Sequence, residues 1–345
     1  MSATMNVTEI YEGIATIHNE GNVSVNGSMD VQFILPVLNK AINTLSIVVL
    51  FITMISLGCT MEISKIKTHL LKPKGVAIAL LAQFGIMPLT AFCLAKLLQM
   101  PPIKAVTVLI CGCCPGGSLS NILSLAMKGD MNLSIVMTTC SSIVALGMMP
   151  LLIYIYCKGF PGLENAVPYV GIIMSLVFTL LPCATGIVIN HYKPNYTPVV
   201  KKTGLCILII ASVIMFSLSC IAVKDTLWMV LTPDILTVAA LMPLIGYMLG
   251  YILSVLCRLS PKCSRTISME TGCQNIQLCV AILKVAFSPQ VIGPIFLFPL
   301  IYIAFQCTEA LLMCLCFRCY QRFKPPAEDK IIFQSIEVKQ EVANP

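Results

Sequence analysis

The sequence predicts an all-α, polytopic membrane protein with nine transmembrane helices. Of its 345 residues, 57% are hydrophobic and 11% are charged, whereas about a quarter of the residues in a soluble domain are charged. Windows of about 20 residues, the length that crosses ~30 Å of hydrocarbon, fall on nine apolar segments. Lys and Arg are concentrated in alternate loops between these segments, as in proteins that cross a bilayer repeatedly.

A polar segment precedes the nine predicted spans and a charged tail follows them; the ends of the spans are approximate. In chain order the nine spans cover residues 35–62, 75–98, 103–127, 131–157, 167–190, 203–223, 227–257, 266–287 and 291–317. Residues 1–33 precede them, and residues 318–345 form a tail for which the polar composition predicts disorder.

The distribution of basic residues predicts the orientation. The loops after spans 1, 3, 5 and 7 and the start of the tail contain most of the Lys and Arg, whereas the other loops offer only Lys96, Lys104, Lys158 and Lys224. Cytoplasmic loops are enriched in Lys and Arg. We therefore expect an extracellular N-terminus and a cytoplasmic C-terminus, and we attribute the net charge of +7 to this bias rather than to a nucleic-acid partner.

The N-terminal segment is predicted to be extracellular and glycosylated. Residues 1–30 contain no Lys, no Arg and no apolar run, so no cleavable signal peptide is visible and the first span is expected to insert as its own signal. Three Asn-x-Ser/Thr acceptors lie there, at Asn6, Asn22 and Asn26, and such acceptors are used only outside the cytoplasm.

The 18 cysteines indicate neither a disulfide framework nor a metal site. None lies in residues 1–30 or clearly in an outside loop. Cys111, Cys113 and Cys114 have no His nearby in the sequence, and we expect no metal there. Cys316 and its neighbours at the end of the last span are either palmitoylated or, as we favour, small apolar residues of a membrane helix.

Four spans contain an apolar-Pro-Leu step, and their order indicates an internal repeat. The steps begin at Met87, Met149, Met242 and Phe298, in spans 2, 4, 7 and 9. Between the members of each pair lies an interrupted, polar span, with a break at residues 111–117 in span 3 and at residues 270–275 in span 8. A repeat displaced by five spans runs through the membrane in the opposite direction, which is typical of secondary transporters.

Glu270 is the residue that points most directly to a function. A carboxylate near the centre of a span costs at least a few kcal/mol unless it is paired or faces a cavity. Gln274 and Gln277 follow at i+4 and i+7, which predicts one shared helix face. Further polar residues in the spans are Gln83, Ser118, Ser120, Asn121, Ser124, Ser134, Thr138, Ser141 and Ser142.

These side chains carry hard oxygen ligands, which favour an alkali cation over a transition metal. The broken backbones would add carbonyl groups that lipid cannot satisfy. Hydrogen bonds between neighbouring helices are the alternative for any single hydroxyl, but they do not explain Glu270. We interpret Glu62, Asp234 and Glu309 as acids near helix ends that reach water.

Several sequence runs resemble the sodium/bile acid cotransporter family, from about residue 57 to residue 325. They are Gln83-Phe84-Gly85-Ile86-Met87-Pro88-Leu89-Thr90, Cys113-Cys114-Pro115-Gly116-Gly117, Ser120-Asn121, Lys128-Gly129-Asp130-Met131-Asn132-Leu133-Ser134, Met137-Thr138-Thr139-Cys140-Ser141 and Met269-Glu270-Thr271-Gly272-Cys273-Gln274-Asn275. The resemblance implies a core domain of spans 2–4 and 7–9 (about 75–157 and 227–317), a panel domain of spans 1, 5 and 6 (about 35–62 and 167–223), and a crossing of spans 3 and 8.

The resemblance also implies two sodium sites and a substrate cleft between panel and core. The first site would use Ser120, Asn121, Ser134, Thr138 and Glu270, and the second Gln83, Glu270 and Gln274. Our own reading of the polar residues adds a polar cleft at Asn275, Gln277, Ser118 and Ser124. Sodium ions would be coupling ions, and no cofactor is expected.

The function that the resemblance implies is sodium-coupled uptake of conjugated bile salts, taurocholate-like organic anions, by alternating access with two sodium ions per substrate. Alternatives are a sodium-coupled transporter of steroid sulfates or other organic anions, a channel, or a seven-span receptor. An enzyme is not expected, because His18, His69 and His191 all lie outside the spans and leave no base for a nucleophile.

Two short runs are most similar to the liver member of the family: Ser268-Met269-Glu270 and Thr60-Met61-Glu62. This similarity implies that the protein is located in the basolateral plasma membrane of hepatocytes. That member is also an entry receptor for hepatitis B virus, but residues 99–102 and Val170 depart from it, which argues against this role here. Residues 320–323, beginning at Tyr320, resemble a tyrosine-based signal for sorting adaptors, a match equally expected by chance.

Overall fold

The computed structural model of the chain describes residues 44–45, 47–56, 58–60, 74–161, 167–222, 230–287 and 293–323. Within these ranges the regular elements are all helices. The acceptors Asn6, Asn22 and Asn26, the polar segment that holds them and residues 324–345 lie outside the described residues. The predicted sorting signal at Tyr320 falls in the last turn of the final helix, which continues to Phe323.

Ten helices follow a first helical segment, which we define as residues 47–56 and 58–60. They are α1 (Lys74–Leu97), α2 (Pro102–Cys113), α3 (Leu119–Ala126), α4 (Met131–Cys157), α5 (Tyr169–Tyr192), α6 (Thr197–Ala222), α7 (Pro233–Leu256), α8 (Pro261–Gly272), α9 (Ile276–Ala286) and α10 (Phe298–Phe323). Short 3-10 turns precede α6 and α10.

The class of fold predicted from the sequence is confirmed: the chain is an all-helical membrane protein. Among the described residues, α1, α4, α5, α7 and the segment Ile295–Phe323 are long and apolar enough to cross a bilayer. The predicted interruptions are also confirmed, because two helices, α2 and α3, lie where span 3 is predicted, and two, α8 and α9, lie where span 8 is predicted. The count of nine spans stays a prediction.

Local sequence explains both breaks. At the first, Pro115 disfavours helical backbone in the preceding residue, and Cys114 is extended with φ −62° and ψ 149°. At the second, α8 ends at Gly272, Cys273 is extended, and the side chain of Asn275 caps α9 by accepting a hydrogen bond from the Leu278 N–H at 3.1 Å. Each interrupted span therefore places one helix C-terminus and one helix N-terminus inside the protein.

The two breaks lie side by side and are joined by backbone hydrogen bonds. The Gly117 N–H donates to the Cys273 carbonyl at 3.1 Å, and the Asn275 N–H donates to the Pro115 carbonyl at 2.9 Å. Between these bonds Gly116 and Gln274 form an isolated antiparallel bridge. A Cβ on Gly117 would lie 2.8 Å from the Gln274 carbonyl oxygen, so the close approach of the two chains requires glycine there.

The turn between α3 and α4 is held against α8. The Arg265 guanidinium donates to the carbonyls of Met127 and Lys128 at 2.7 and 2.9 Å, and the Asp130 N–H donates to the Thr266 hydroxyl at 2.7 Å. The Asp130 side chain also caps α4. These contacts fix α3, α4 and α8 relative to one another at the end of the molecule where α8 begins.

The first helical segment packs against α5 and α6. A Cβ on Gly186 of α5 would collide with the Ile55 carbonyl oxygen and would lie 2.8 Å from the Gly58 Cα, so the two backbones are in direct contact. On the other side, Gly204 of α6 lies against the Ser56 side chain. Small residues thus allow close helix packing, as is common within membranes.

A proline changes the geometry of α1. Pro88 has no N–H to donate to the carbonyl of Phe84, four residues earlier, and the preceding residues Ala82–Ile86 form a π-helical turn. Such turns frequently occur at functional sites because they shift side chains out of the regular helical register. The turn contains Gln83, which is 1% exposed.

Candidate ion-binding site at the helix breaks

Glu270 lies in the last turn of α8, beside the first break, and is 2% exposed. Its carboxylate accepts hydrogen bonds from the Ser120 hydroxyl at 2.5 Å and from the Thr138 hydroxyl at 2.7 Å. Gly116 is so close that a Cβ there would collide with the carboxylate. Two helices besides its own, α3 and α4, and one backbone break therefore surround this acid.

A second layer of oxygen atoms surrounds these hydroxyls. The Asn121 amide oxygen accepts from the Ser134 hydroxyl at 2.8 Å and from the Thr138 hydroxyl at 3.5 Å. The Ser134 hydroxyl also lies 3.3 Å from that of Ser124. We call the six side chains together the oxygen cluster: Ser120, Asn121, Ser124, Ser134, Thr138 and Glu270, all buried.

The oxygen cluster has the chemistry of a site for a small hard cation. It offers carboxylate, hydroxyl and amide oxygens, and no nitrogen or sulfur atom takes part in the hydrogen bonds between its members. Oxygen ligands suit alkali and alkaline-earth cations. The hydroxyls donate to the carboxylate here, and rotation about their C–O bonds would turn their lone pairs towards a cation instead.

Gln83 and Gln274 meet next to the oxygen cluster. The Gln83 amide nitrogen donates to the Gln274 amide oxygen and to the Cys114 carbonyl, both at 2.9 Å. The Gln274 amide nitrogen donates to the Thr271 carbonyl at 3.2 Å. The Gln83 amide oxygen is buried without a hydrogen-bond partner among the described residues, so one acceptor in this pair is available.

The residues predicted for the additional polar cleft are only partly brought together. Ser124 belongs to the oxygen cluster, and Asn275 caps α9. Ser118 and Gln277 are half-buried at the starts of α3 and α9. The prediction that Glu270, Gln274 and Gln277 share one helix face was wrong, because α8 ends at Gly272, and the extended residues of the break cancel the helical spacing.

A small cavity lies against the two breaks. It is lined by Met54, Pro115, Ser142, Leu176, Thr179, Leu180, Cys183, Asn275 and Leu278. The lining residues come from the first helical segment and α5 on one side and from α4, α9 and the breaks on the other. Its walls are mainly apolar, and Asn275, Ser142 and Thr179 supply polar groups.

Sequence reasoning missed two residues of α10. Gln306 is fully buried, and its amide oxygen accepts from the Gln274 N–H at 3.0 Å. The interpretation of Glu309 as an acid near a helix end was wrong, because Glu309 lies near the middle of the 26-residue α10 and its Oε2 atom is buried. The signal was present: a Gln and a Glu three residues apart in an apolar span are expensive.

The interpretation of Asp234 as an acid at a helix end is confirmed. It lies in the first turn of α7 and pairs with Lys104 at 2.9 Å, with both side chains partly exposed. No disulfide bond joins the cysteines whose side chains the structure describes.

An all-helical membrane protein whose interrupted helices meet at a buried, oxygen-lined carboxylate has the architecture of a secondary transporter. The comparison with known families identifies which one. The chain belongs to the sodium bile acid symporter family, whose model matches residues 47–226. The family resemblance predicted from the sequence is thereby confirmed, and the family is one of transporters and not of enzymes.

Individual relatives extend the match over most of the chain. The chain is 55% identical to the hepatic sodium/bile acid cotransporter of Rattus norvegicus, over 86% of this chain and 83% of the relative. It is 53% identical to the hepatic sodium/bile acid cotransporter of Homo sapiens, over 88% and 87%. To the ileal sodium/bile acid cotransporter of Oryctolagus cuniculus it is 40% identical, over 78% of each chain.

Proposed function

We propose that this protein takes up conjugated bile salts into the cell by sodium-coupled symport, with two sodium ions per substrate. The observation that carries the proposal is the oxygen cluster around Glu270, at the point where the two helix breaks are hydrogen-bonded together. The names of the hepatic relatives, more than half of whose aligned residues are identical, supply the substrate class.

The first sodium ion binds in the oxygen cluster, at Ser120, Asn121, Ser134, Thr138 and Glu270. The carboxylate neutralises the charge of the ion, and hydroxyl and amide oxygens replace its water. The short contacts among these side chains support the assignment, because an ion that enters between them needs no large rearrangement. A carboxylate without an ion would be costly at this depth.

The second sodium ion binds between Gln83 and Gln274, with Glu270 contributing charge from across the break. The unpartnered amide oxygen of Gln83 supports this site, since it can accept a cation without losing a hydrogen bond. The ends of α2 and α8 also support it, because the carbonyl groups at a helix C-terminus carry partial negative charge. Both ions would then sit at the paired breaks.

The bile salt binds between a panel domain and a core domain. The panel comprises the first helical segment, α5 and α6, and the core comprises α1 to α4 and α7 to α10. The Gly58–Gly186 contact supports the panel as a unit, and the hydrogen bonds between the breaks support the core. The mainly apolar lining of the small cavity between them, with Asn275 at one wall, supports this position for the apolar face of a steroid, and the cavity would have to widen to admit it.

Alternating access follows from this arrangement if the core moves against the panel. Both breaks would move with the core, so that ions and substrate exchange with one side of the membrane at a time. The chain would cross the plasma membrane nine times, with spans 3 and 8 crossing at the breaks. Its N-terminus would be extracellular and glycosylated, and the hepatic relatives favour the basolateral membrane of hepatocytes.

Radiolabelled taurocholate uptake into transfected cells tests the proposal, in sodium medium and in choline medium. Wild-type protein is expected to take up taurocholate only in sodium. Glu270→Gln keeps the shape of the side chain and removes its charge, and it is expected to abolish uptake at equal surface level. Asp234→Asn is the matched control, since it neutralises an acid outside the proposed sites and should retain sodium-dependent uptake.

Equal uptake in sodium and choline by the wild type would contradict sodium coupling. If Glu270→Gln took up taurocholate with the same sodium dependence as the wild type, this result would contradict the assignment of the carboxylate as an ion ligand. An absence of taurocholate uptake by the wild type, with sodium-dependent uptake of a steroid sulfate, would show that the substrate class is a different organic anion.

A further inference from the structure

One face of α10 carries three polar residues that the two proposed sodium sites do not use. Tyr302, Gln306 and Glu309 follow one another at i, i+4 and i+7, a spacing that places them along one side of a helix. Tyr302 and Gln306 are both fully buried. Glu309 is half-buried, and apart from Thr308 the rest of α10 at this depth is apolar.

Each residue of the stripe has an atom without a partner. The Tyr302 hydroxyl, the Gln306 amide nitrogen and the Glu309 Oε2 atom are buried and form no hydrogen bond within the part of the chain that the structure describes. Buried polar atoms are satisfied in the great majority of cases, and an unpaired carboxylate in a membrane span is costly. The Gln306 amide nitrogen is a donor and cannot bind a cation, whereas the Glu309 and Tyr302 oxygen atoms can. The unpaired Glu309 carboxylate therefore needs a positive counter-charge.

The stripe is continuous with the proposed second sodium site. The Gln274 N–H donates to the Gln306 amide oxygen at 3.0 Å, and Gln274 itself is bonded to Gln83. Glu309 lies one turn beyond Gln306 along α10, where side chains three residues apart have their Cβ atoms about 5–6 Å apart. Gln306, which contacts Gln274, therefore has a carboxylate one helical turn further along α10.

No basic side chain in the described ranges forms an ion pair with Glu309. Arg265 on the neighbouring α8 is already engaged: it donates to the Met127 and Lys128 carbonyls and its guanidinium lies over the Phe317 ring. Phe317 is eight residues beyond Glu309, which corresponds to ~12 Å along a helix. A mobile cation is therefore the natural counter-charge.

We propose that Glu309 is a third sodium station, which an ion occupies as it leaves the Gln83–Gln274 site towards the C-terminal end of α10. The inference rests on the proposed function, and it adds a residue on the cytoplasmic release route to the two coupling sites. Because the station is reached from inside the cell, its affinity sets how strongly internal sodium inhibits uptake.

The test is taurocholate uptake into right-side-out plasma-membrane vesicles that are preloaded with increasing concentrations of sodium. Choline replaces sodium inside the vesicles so that the total salt concentration stays constant. In Glu309→Gln the internal sodium concentration that halves uptake is expected to rise about tenfold, the effect of ~1.4 kcal/mol. The half-saturating external sodium should stay within about twofold, because both coupling sites keep all their ligands. Thr308→Ala is the control, since its exposed hydroxyl donates only to the Ala304 carbonyl.

Identical inhibition by internal sodium in Glu309→Gln and wild type would overturn the proposal, because the carboxyl would then carry a proton and not an ion. If Glu309→Gln reaches the surface but does not transport taurocholate, the melting temperature of the purified variant is measured as a function of sodium concentration and compared with that of the wild type. An unchanged dependence of that temperature on sodium concentration would equally overturn the station. Taurocholate uptake by the wild type that does not depend on external sodium would instead contradict the proposed function itself.

Discussion

Two adjacent threonines on α4 provide a matched test of the first proposed sodium site. Thr138 and Thr139 are both buried, and each donates its hydroxyl to a backbone carbonyl four residues earlier, at 3.0 and 2.7 Å. Only Thr138 also donates to the Glu270 carboxylate, at 2.7 Å. Substitution by Val removes one hydroxyl at either position and conserves shape, so only Thr138→Val changes the oxygen cluster.

The expected size of the effect follows from the lost contact. When an ion is bound, the Thr138 hydroxyl would turn a lone pair towards it, and a contact between a polar group and a charge contributes about 1.5–3 kcal/mol. Loss of this contact corresponds to about a tenfold to hundredfold loss of affinity for one ion. If two ions must bind before each transport step, the half-saturating sodium concentration varies with the square root of the product of the two dissociation constants. The expected rise is therefore about threefold to tenfold.

The assay is the initial rate of taurocholate uptake as a function of external sodium, normalised to surface protein. Thr138→Val should shift the curve to higher sodium and approach the wild-type rate at saturation, because the remaining ligands still hold the ion. Thr139→Val should stay within about twofold of wild type, since it loses only a bond to its own helix. Superimposable curves for the two variants, or a shift in Thr139→Val alone, would contradict a role of the Thr138 hydroxyl as an ion ligand.

Two further predictions concern glycines at close contacts. Gly116→Ala would place a methyl group against the Glu270 carboxylate. We therefore expect sodium-dependent taurocholate uptake to fall at least about tenfold at a normal surface level of the protein. Unchanged uptake would contradict the position of the carboxylate. Gly186→Ala would collide with the Ile55 carbonyl and is expected to lower stability by about 1–3 kcal/mol, measured as a lower melting temperature of purified protein. Gly147→Ala is its control, because a Cβ there meets no atom within 4 Å and should leave the temperature equal or higher.

Composition and pattern predicted the helical class and most of the site. Span 4 has the same ends as α4, because Asp130 caps its first turn and the apolar run begins directly after it. The five residues assigned to the first sodium site meet in the structure, since hydroxyl and amide groups in membrane spans must find polar partners. The one buried acid among them, Glu270, accepts hydrogen bonds from Ser120 and Thr138, and Asn121 connects Thr138 with Ser134.

The parts that sequence reasoning missed depend on packing between distant segments. Because α8 ends at Gly272, Gln277 does not share a helix face with Glu270. Helical periodicity in the sequence does not predict such an interruption. Gln306 and Glu309 lie about 30 to 40 residues after Glu270, and an isolated Gln or Glu in an apolar helix does not reveal its partner. Only the packing of α10 against α7 and the second break shows that Gln306 meets Gln274.

The proposed coupling also has an energetic consequence. Two sodium ions with one monovalent bile salt carry one net positive charge inwards. A tenfold sodium gradient supplies about 1.4 kcal/mol per ion, and the membrane potential adds about 2.3 kcal/mol per charge per 100 mV. Two ions can therefore support strong accumulation, whereas one ion with one anion would move no charge and would draw on the sodium gradient alone.

The most direct test of two-ion coupling is the ratio of charge to substrate, measured as current and radiolabelled taurocholate uptake in the same voltage-clamped cell. Two-ion coupling predicts an inward current of one positive charge for each taurocholate taken up, and no such current in choline medium. Sodium-dependent uptake without current would mean one ion per substrate, and it would contradict the claim that both sites at the helix breaks are loaded in each cycle.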